Sequence, residues 1–109
     1  MKLEMQQIMY ECGVFRSYRG YAYFEKAVCM AHENPECLLA IIKEIYAPIA
    51  EEYNTTISSV EKDIRTIRDV LLRNDGKQIL KKRGFIIYDD NLYPREMIEI
   101  FATYFISKR

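Results

Sequence analysis

Glycine and proline are scarce in this chain, at 4 and 3 of 109 residues. A sandwich or a barrel needs turn signals about every 8 to 12 residues, and so few breakers exclude both. Histidine occurs once, at His32, so there is no zinc-finger spacing. The three cysteines, Cys12, Cys29 and Cys37, are odd in number and form no CxxC pair. That pattern suits buried thiols in a reducing compartment better than a disulfide framework. A membrane span needs about 18 apolar residues without charge, and no such run exists. The start, MKLEMQQ, places Glu4 and two glutamines where a signal peptide needs an apolar core. A cytoplasmic protein with no membrane contact is therefore expected.

Catalytic patterns are missing too. His32 has no serine, cysteine or aspartate at a telling distance. No glycine-rich phosphate loop occurs. The Asp89-Asp90-Asn91 cluster lacks the glycine and distal glutamate of a calcium loop and reads as a turn. The expectation is not an enzyme, with no metal and no cofactor. Net charge is also absent, with 16 basic against 16 acidic residues and a pI near 6.6. Most small nucleic-acid-binding domains are basic, so whole-chain charge counts against such a role.

What the chain does have is apolar surface in a helical rhythm. Half of it is hydrophobic and 29% is charged, enough for a core and too apolar for disorder. Leu3, Met5, Ile8, Met9 and Cys12 mark a first amphipathic helix that Gly13 ends. Val14 to Arg19 reads as a connecting loop. A second helix from Gly20 turns Tyr21, Phe24, Val28 and Ala31 to one side. Asn34-Pro35 is a strong helix start; the helix it opens packs Leu38, Ile41, Ile42 and Ile45. Pro48 ends or kinks that helix near Tyr46 and suits the first turn of the next one.

Asn54-Thr55-Thr56-Ile57 is too short for anything but a tight turn. Ser58-Ser59-Val60-Glu61 has the form of a capping box, Ser58 and Glu61 satisfying each other's amides. Val60, Ile64, Ile67 and Leu71 then give one face of a helix running to about Arg73, broken by Asn74-Asp75-Gly76. A short helix, Lys77 to Arg83, ends at Gly84. Phe85 to Tyr88 is the one strand-like run, read as an extended segment laid on the core. Pro94 opens a last helix with Met97, Ile98, Phe101, Tyr104 and Phe105 inward. No linker divides residues 1–109, so the expected architecture is a single all-α domain.

Two helices joined by a four-residue turn, the second one capped, define a helix-turn-helix, here Tyr46 to Arg73. The second helix of such a unit lies in the DNA major groove. Its outward positions are Ser59, Glu61, Lys62, Asp63, Arg65, Thr66, Arg68 and Asp69. Arg65 and Lys62 suit guanine O6 and N7, and Glu61 suits cytosine N4. Thr55, Thr56 and Ser58 stand where hydroxyls and amides hold a phosphate at a helix N-terminus.

Charge is uneven in the same sense. Residues 1–54 hold 5 basic and 8 acidic residues, residues 55–83 hold 8 and 4, and residues 84–109 hold 3 and 4. The positive charge gathers on the recognition helix and the helix after it, where Lys77, Lys81, Lys82 and Arg83 form a candidate phosphate-contacting patch. The competing reading keeps the helix-turn-helix as a scaffold whose outer face binds protein. Glu51, Glu52, Asp63 and Asp69 favour that alternative.

The runs GYAYFEKAV and KEIYAPIAEEYNTTISSVEKDIR resemble the DNA-binding effector domain of the stage-zero sporulation response regulators, the master regulators of sporulation. The resemblance spans essentially the whole chain and is most specific from Tyr46 to Arg65. It implies six or seven helices, sequence-specific binding to double-stranded DNA, contacts with RNA polymerase, and homodimers on tandem sites. Glu61 and Arg65 match the family's recognition-helix residues. Lys62 stands at an arginine position, and Ser59 where arginine is usual. Asp63 and Thr66 replace small or basic residues, and Glu51 and Glu52 replace a pair of lysines on the bracing helix. The family places a phosphoacceptor receiver domain before this one, so a stand-alone effector domain is expected here.

Overall fold

The computed structural model describes residues 1–88 and 92–108. Among these the chain forms six α-helices and one irregular helical stretch, with no strand. The helices are α1 (Lys2–Glu11), α2 (Tyr21–Glu33), α3 (Ala47–Glu52), α4 (Ile57–Arg73), α5 (Gly76–Lys82) and α6 (Pro94–Ile106). The all-α expectation holds. The turn expected at Asp89-Asp90-Asn91 lies outside the described residues.

Three helix ends are closed by the same device. After α1 the amide of Gly13 donates to Tyr10 O at 3.0 Å and that of Val14 to Met9 O at 2.8 Å. This pair of bonds requires a left-handed residue just past the helix, and Gly13 supplies φ +82°. After α3 the left-handed residue is Asn54, φ +52°, with Asn54 N to Glu51 O at 3.3 Å and Thr55 N to Ala50 O at 2.9 Å. The same two bonds close α5 through Gly84 and Phe85. Three ends thus have their orphan carbonyls satisfied by backbone alone.

Asn34 caps as expected, accepting from Glu36 N at 3.3 Å. The helix it opens is not α-helical, however. Pro35–Ala40 is a 3-10 helix and Ile42–Tyr46 a π-helix, leading straight into α3 with every junction right-handed. Pro48 supplies the cause: it has no amide to donate, and its ring crowds the carbonyl four residues back. A wider turn just before it, with Ala47 N donating to Ile42 O, relieves that crowding. The expected kink is thus a local change of pitch. It also corrects the expected packing, because Leu38, Ile41 and Ile45 are buried but Ile42 is 56% exposed.

The core lies between α2, α4 and α6. Val60, Ile64, Ile67 and Leu71 of α4 are buried, as the spacing predicts, each burial contributing about 1.5–3 kcal/mol. Met97, Ile98, Phe101, Tyr104 and Phe105 of α6 meet them from the other side. Phe24 packs edge-on to Phe101 at 5.2 Å, and Phe85 stacks on Tyr104 at 4.1 Å. Phe85 is the buried anchor of the extended run after α5, and Ile86 and Tyr88 project outward.

Candidate nucleic-acid interface

The helix-turn-helix is built as the sequence predicts, α3, a turn and α4, but its cap sits elsewhere. The N-cap of α4 is Thr56, extended at φ −99° and ψ 155°, and its Oγ1 accepts from Ser59 N at 3.0 Å. The same Oγ1 lies 2.9 Å from Ser59 Oγ. Ser58 is inside the helix and exposed, and Glu61 reaches forward to Arg65 rather than back to Ser58. The Ser58–Glu61 box is therefore corrected to a Thr56 cap: the helix begins two residues earlier than the box requires. Residues 53–56 form the turn without an idle position, Tyr53 and Asn54 closing α3 while Thr55 bonds back to Ala50 and Thr56 opens α4.

Along α4 the outward strip is Ser58, Lys62, Thr66, Asp69 and Arg73, all exposed. Thr66 Oγ1 donates to Lys62 O at 3.1 Å, which leaves its methyl group outward. Ser59 and Asp63 are half-buried on one flank of that strip. Glu61 and Arg65 lie on the other flank, joined at 3.1 Å with side chains 43% and 49% exposed. Arg68 departs from its expected role. Its side chain is only 17% exposed, Nη1 donates to Leu92 O at 3.0 Å and Nε to Asp69 at 2.7 Å. It braces α4 against the segment leading into α6 and does not project from it.

The expected phosphate patch is also divided. Arg83 is paired with Glu11 of α1 through a close contact between Nη2 and Oε2, whose proximity lowers the Glu11 carboxyl below its usual range. Lys81 and Lys82 are exposed on the last turn of α5. That helix leaves the C-terminal end of α4 at Gly76, which packs on the Leu71 carbonyl. These two lysines therefore lie off the end of α4 opposite Thr56. On the bracing helix Glu51 and Glu52 are both exposed, Glu52 pairing with Lys26 at 3.4 Å.

Sequence reading missed a groove of about 450 Å³ beside Glu61 and Arg65, walled by Ile42, Tyr46, Tyr93 and Arg95. Only the spacing of Pro94 from Tyr93 and Arg95 hinted that those two would flank a helix start. Burial pushes the Tyr46 hydroxyl up to about 12. Burial disfavours the thiolate at all three cysteines: the Cys12 thiol is pushed up to about 11 by desolvation, and burial also raises Cys29 and Cys37.

A compact helical domain with a fixed turn between two helices, and with the second helix presenting an uncovered polar strip, has the architecture of a helix-turn-helix domain. The comparison with known families agrees with that class. A family described as Sporulation initiation factor Spo0A C terminal matches residues 5–103, and the chain belongs to it. The family is the DNA-binding domain of that factor, a regulator of transcription and not an enzyme.

Proposed function

We propose that this domain reads a specific sequence in double-stranded DNA by laying α4 in the major groove. One observation carries the reading: the strip from Ser58 to Arg73, with Arg65 beside it, is exposed along a helix whose other faces are packed. Lys62 and Arg65 are the guanine readers, Glu61 the acceptor for cytosine, and Thr66 offers its methyl group to thymine. The Glu61–Arg65 pair is no obstacle. An exposed pair at this spacing is worth about 0.3–0.5 kcal/mol, against about 1–3 kcal/mol of discrimination for a bidentate guanine contact. Thr55, Thr56, Ser58 and Ser59 meet the phosphate at the start of α4, Thr56 and Ser58 through their amides and Thr55 and Ser59 through their hydroxyls, because Thr55 N already donates to Ala50 O and Ser59 N to the Thr56 cap. Arg68 supports this surface from behind. Contacts with RNA polymerase and pairing of two copies on adjacent sites rest on family membership alone. A second reading, a scaffold for protein, is favoured by the groove beside Arg65 with Ile42 and Tyr93 exposed at its rim.

The test is retention of genomic DNA fragments over a series of salt concentrations, repeated with Arg65→Ala. Binding that weakens with salt, prefers one sequence, and loses tenfold or more of that preference in Arg65→Ala supports the reading. Failure to retain any fragment at low salt overturns it in favour of the scaffold.

A further inference from the structure

Two of the three arginines of α4 are engaged within the molecule, Arg65 with Glu61 and Arg68 with Asp69 and Leu92, and the third, Arg73, ends the exposed strip. A different pair is not so engaged. Arg16 and Arg19, in the loop between α1 and α2, are both exposed and form no ion pair or hydrogen bond among the described residues. Residues 14–20 read Val-Phe-Arg-Ser-Tyr-Arg-Gly, two positive charges with no acid.

The loop is held against α4 at both ends. Gly20 packs so closely that an added Cβ would stand 2.3 Å from the Asp63 carbonyl oxygen and 2.9 Å from Ile67. Gly13 packs in the same way on the Asn74 side chain, at 2.6 Å. The loop therefore runs along one flank of α4 from residue 74 to residue 63, about 16 Å of helix at 1.5 Å per residue. It is also stiff. Val14 is buried beneath it, and Tyr18 N and Tyr21 N donate to Phe15 O and Tyr18 O, each at 3.0 Å, giving two consecutive turns. Tyr10, Phe15 and Tyr18 form an exposed edge-to-face ladder with centroids 5.4 and 5.7 Å apart.

We propose that this loop is a second DNA-contacting element, in which Arg16 and Arg19 grip the phosphate backbone alongside the groove that α4 enters. The inference rests on the reading of α4 as a recognition helix. A helix lying in a groove about 12 Å wide has a phosphate strand along each side, and the loop occupies one of those sides. Guanidinium groups are suited to bidentate phosphate contacts, and Tyr18 adds a hydroxyl of the kind that also bonds phosphate. The ladder explains why bulky rings are spent on a surface loop: they hold its backbone in shape, so the arginines need little ordering on contact. The loop also supplies positive charge that α3, with Glu51 and Glu52 outward, does not.

The experiment uses the full chain and a duplex selected by it from a random pool. Binding is measured across salt concentrations for the unmodified chain, for Arg16→Ala/Arg19→Ala, and for Lys2→Ala/Lys43→Ala, which removes the same net charge elsewhere. Each phosphate contact contributes about 0.9 to the salt slope. The loop variant is expected to flatten the slope by about 1.8 relative to the control pair, and to keep its preference for the selected duplex over a scrambled one within twofold. An unchanged slope, with the duplex still bound, overturns this inference and leaves the recognition helix standing. If the loop variant loses the sequence preference instead, the loop reads bases and the phosphate assignment is wrong. If the unmodified chain selects no duplex at all, the recognition-helix reading falls and this inference with it.

Discussion

Arg68 of α4 and Leu92, 24 residues apart in sequence, are joined by a 3.0 Å hydrogen bond from a guanidinium nitrogen to a main-chain carbonyl. The contact ties α4 to the segment leading into α6. A hydrogen bond from a charged donor in a half-covered site is worth about 1.5–3 kcal/mol. Arg68→Ala is expected to lower stability by about 1–2 kcal/mol, read as a shift of the urea midpoint without a change of slope. Its DNA sequence preference should be that of the unmodified chain. A changed preference at intact stability would return Arg68 to the base-reading set.

The position of the α4 cap has a direct test. Thr56→Ala removes the acceptor for Ser59 N and is expected to cost about 1 kcal/mol, whereas Ser58→Ala should lie within about 0.5 kcal/mol of neutral, as an exposed substitution inside a helix. The two midpoints measured side by side decide it. A larger loss at Ser58 would restore the box.

Gly20 tolerates no side chain without moving α4, since the atom it would strike is main chain. Gly20→Ala is expected to cost about 1–3 kcal/mol, the range of overpacking in a filled site. It should also weaken DNA binding beyond what the lost stability explains. Thermal unfolding and the salt series, run on the same sample, separate the two effects.

Acid stability should carry a signature of α1. Tyr104 donates to Glu4 at 2.8 Å and Lys108 stands 3.5 Å away. The tyrosine hydrogen bond is the main reason that the Glu4 carboxyl titrates below its usual 4.5. A carboxyl depressed by folding stabilises the fold above its unfolded value, and that contribution fades as pH falls through the folded value. Stability is therefore expected to decline below about pH 4.5. Tyr104→Phe should remove part of the pH dependence between neutrality and acid while keeping the ring stack on Phe85. Parallel pH profiles of the two proteins would refute this.

Most of the helical framework was legible from spacing and punctuation. The faces of α2, α4 and α6 are those the apolar period names, and Asn34, Gly13 and Gly84 do what their chemistry suggests. The misplaced residues share a cause. Ile42 was assigned inward by a period of 3.6, but a 3-10 turn followed by a π turn does not keep that period. Arg68 was assigned outward by the same period, which is blind to a segment from a distant part of the chain lying over that flank. Ser58 and Thr56 are both sound caps, and a box motif cannot say which of two hydroxyl residues two positions apart leaves the helical conformation. The arginines of the loop after α1 were passed over because only the packing of Gly20 on α4 and of Gly13 on Asn74 just past it shows that the loop lies beside that helix.

The turn between α3 and α4 has all four of its positions committed, with Asn54 left-handed, Thr55 bonded back and Thr56 capping forward. Such a unit has almost no freedom to adapt to a poorly shaped target. Whatever bending or groove widening a complex needs must then come from the duplex, and its cost depends on how easily each base step deforms. Selected sites are accordingly expected to show preferences at base pairs that no side chain of α4 touches, set by the flexibility of the DNA.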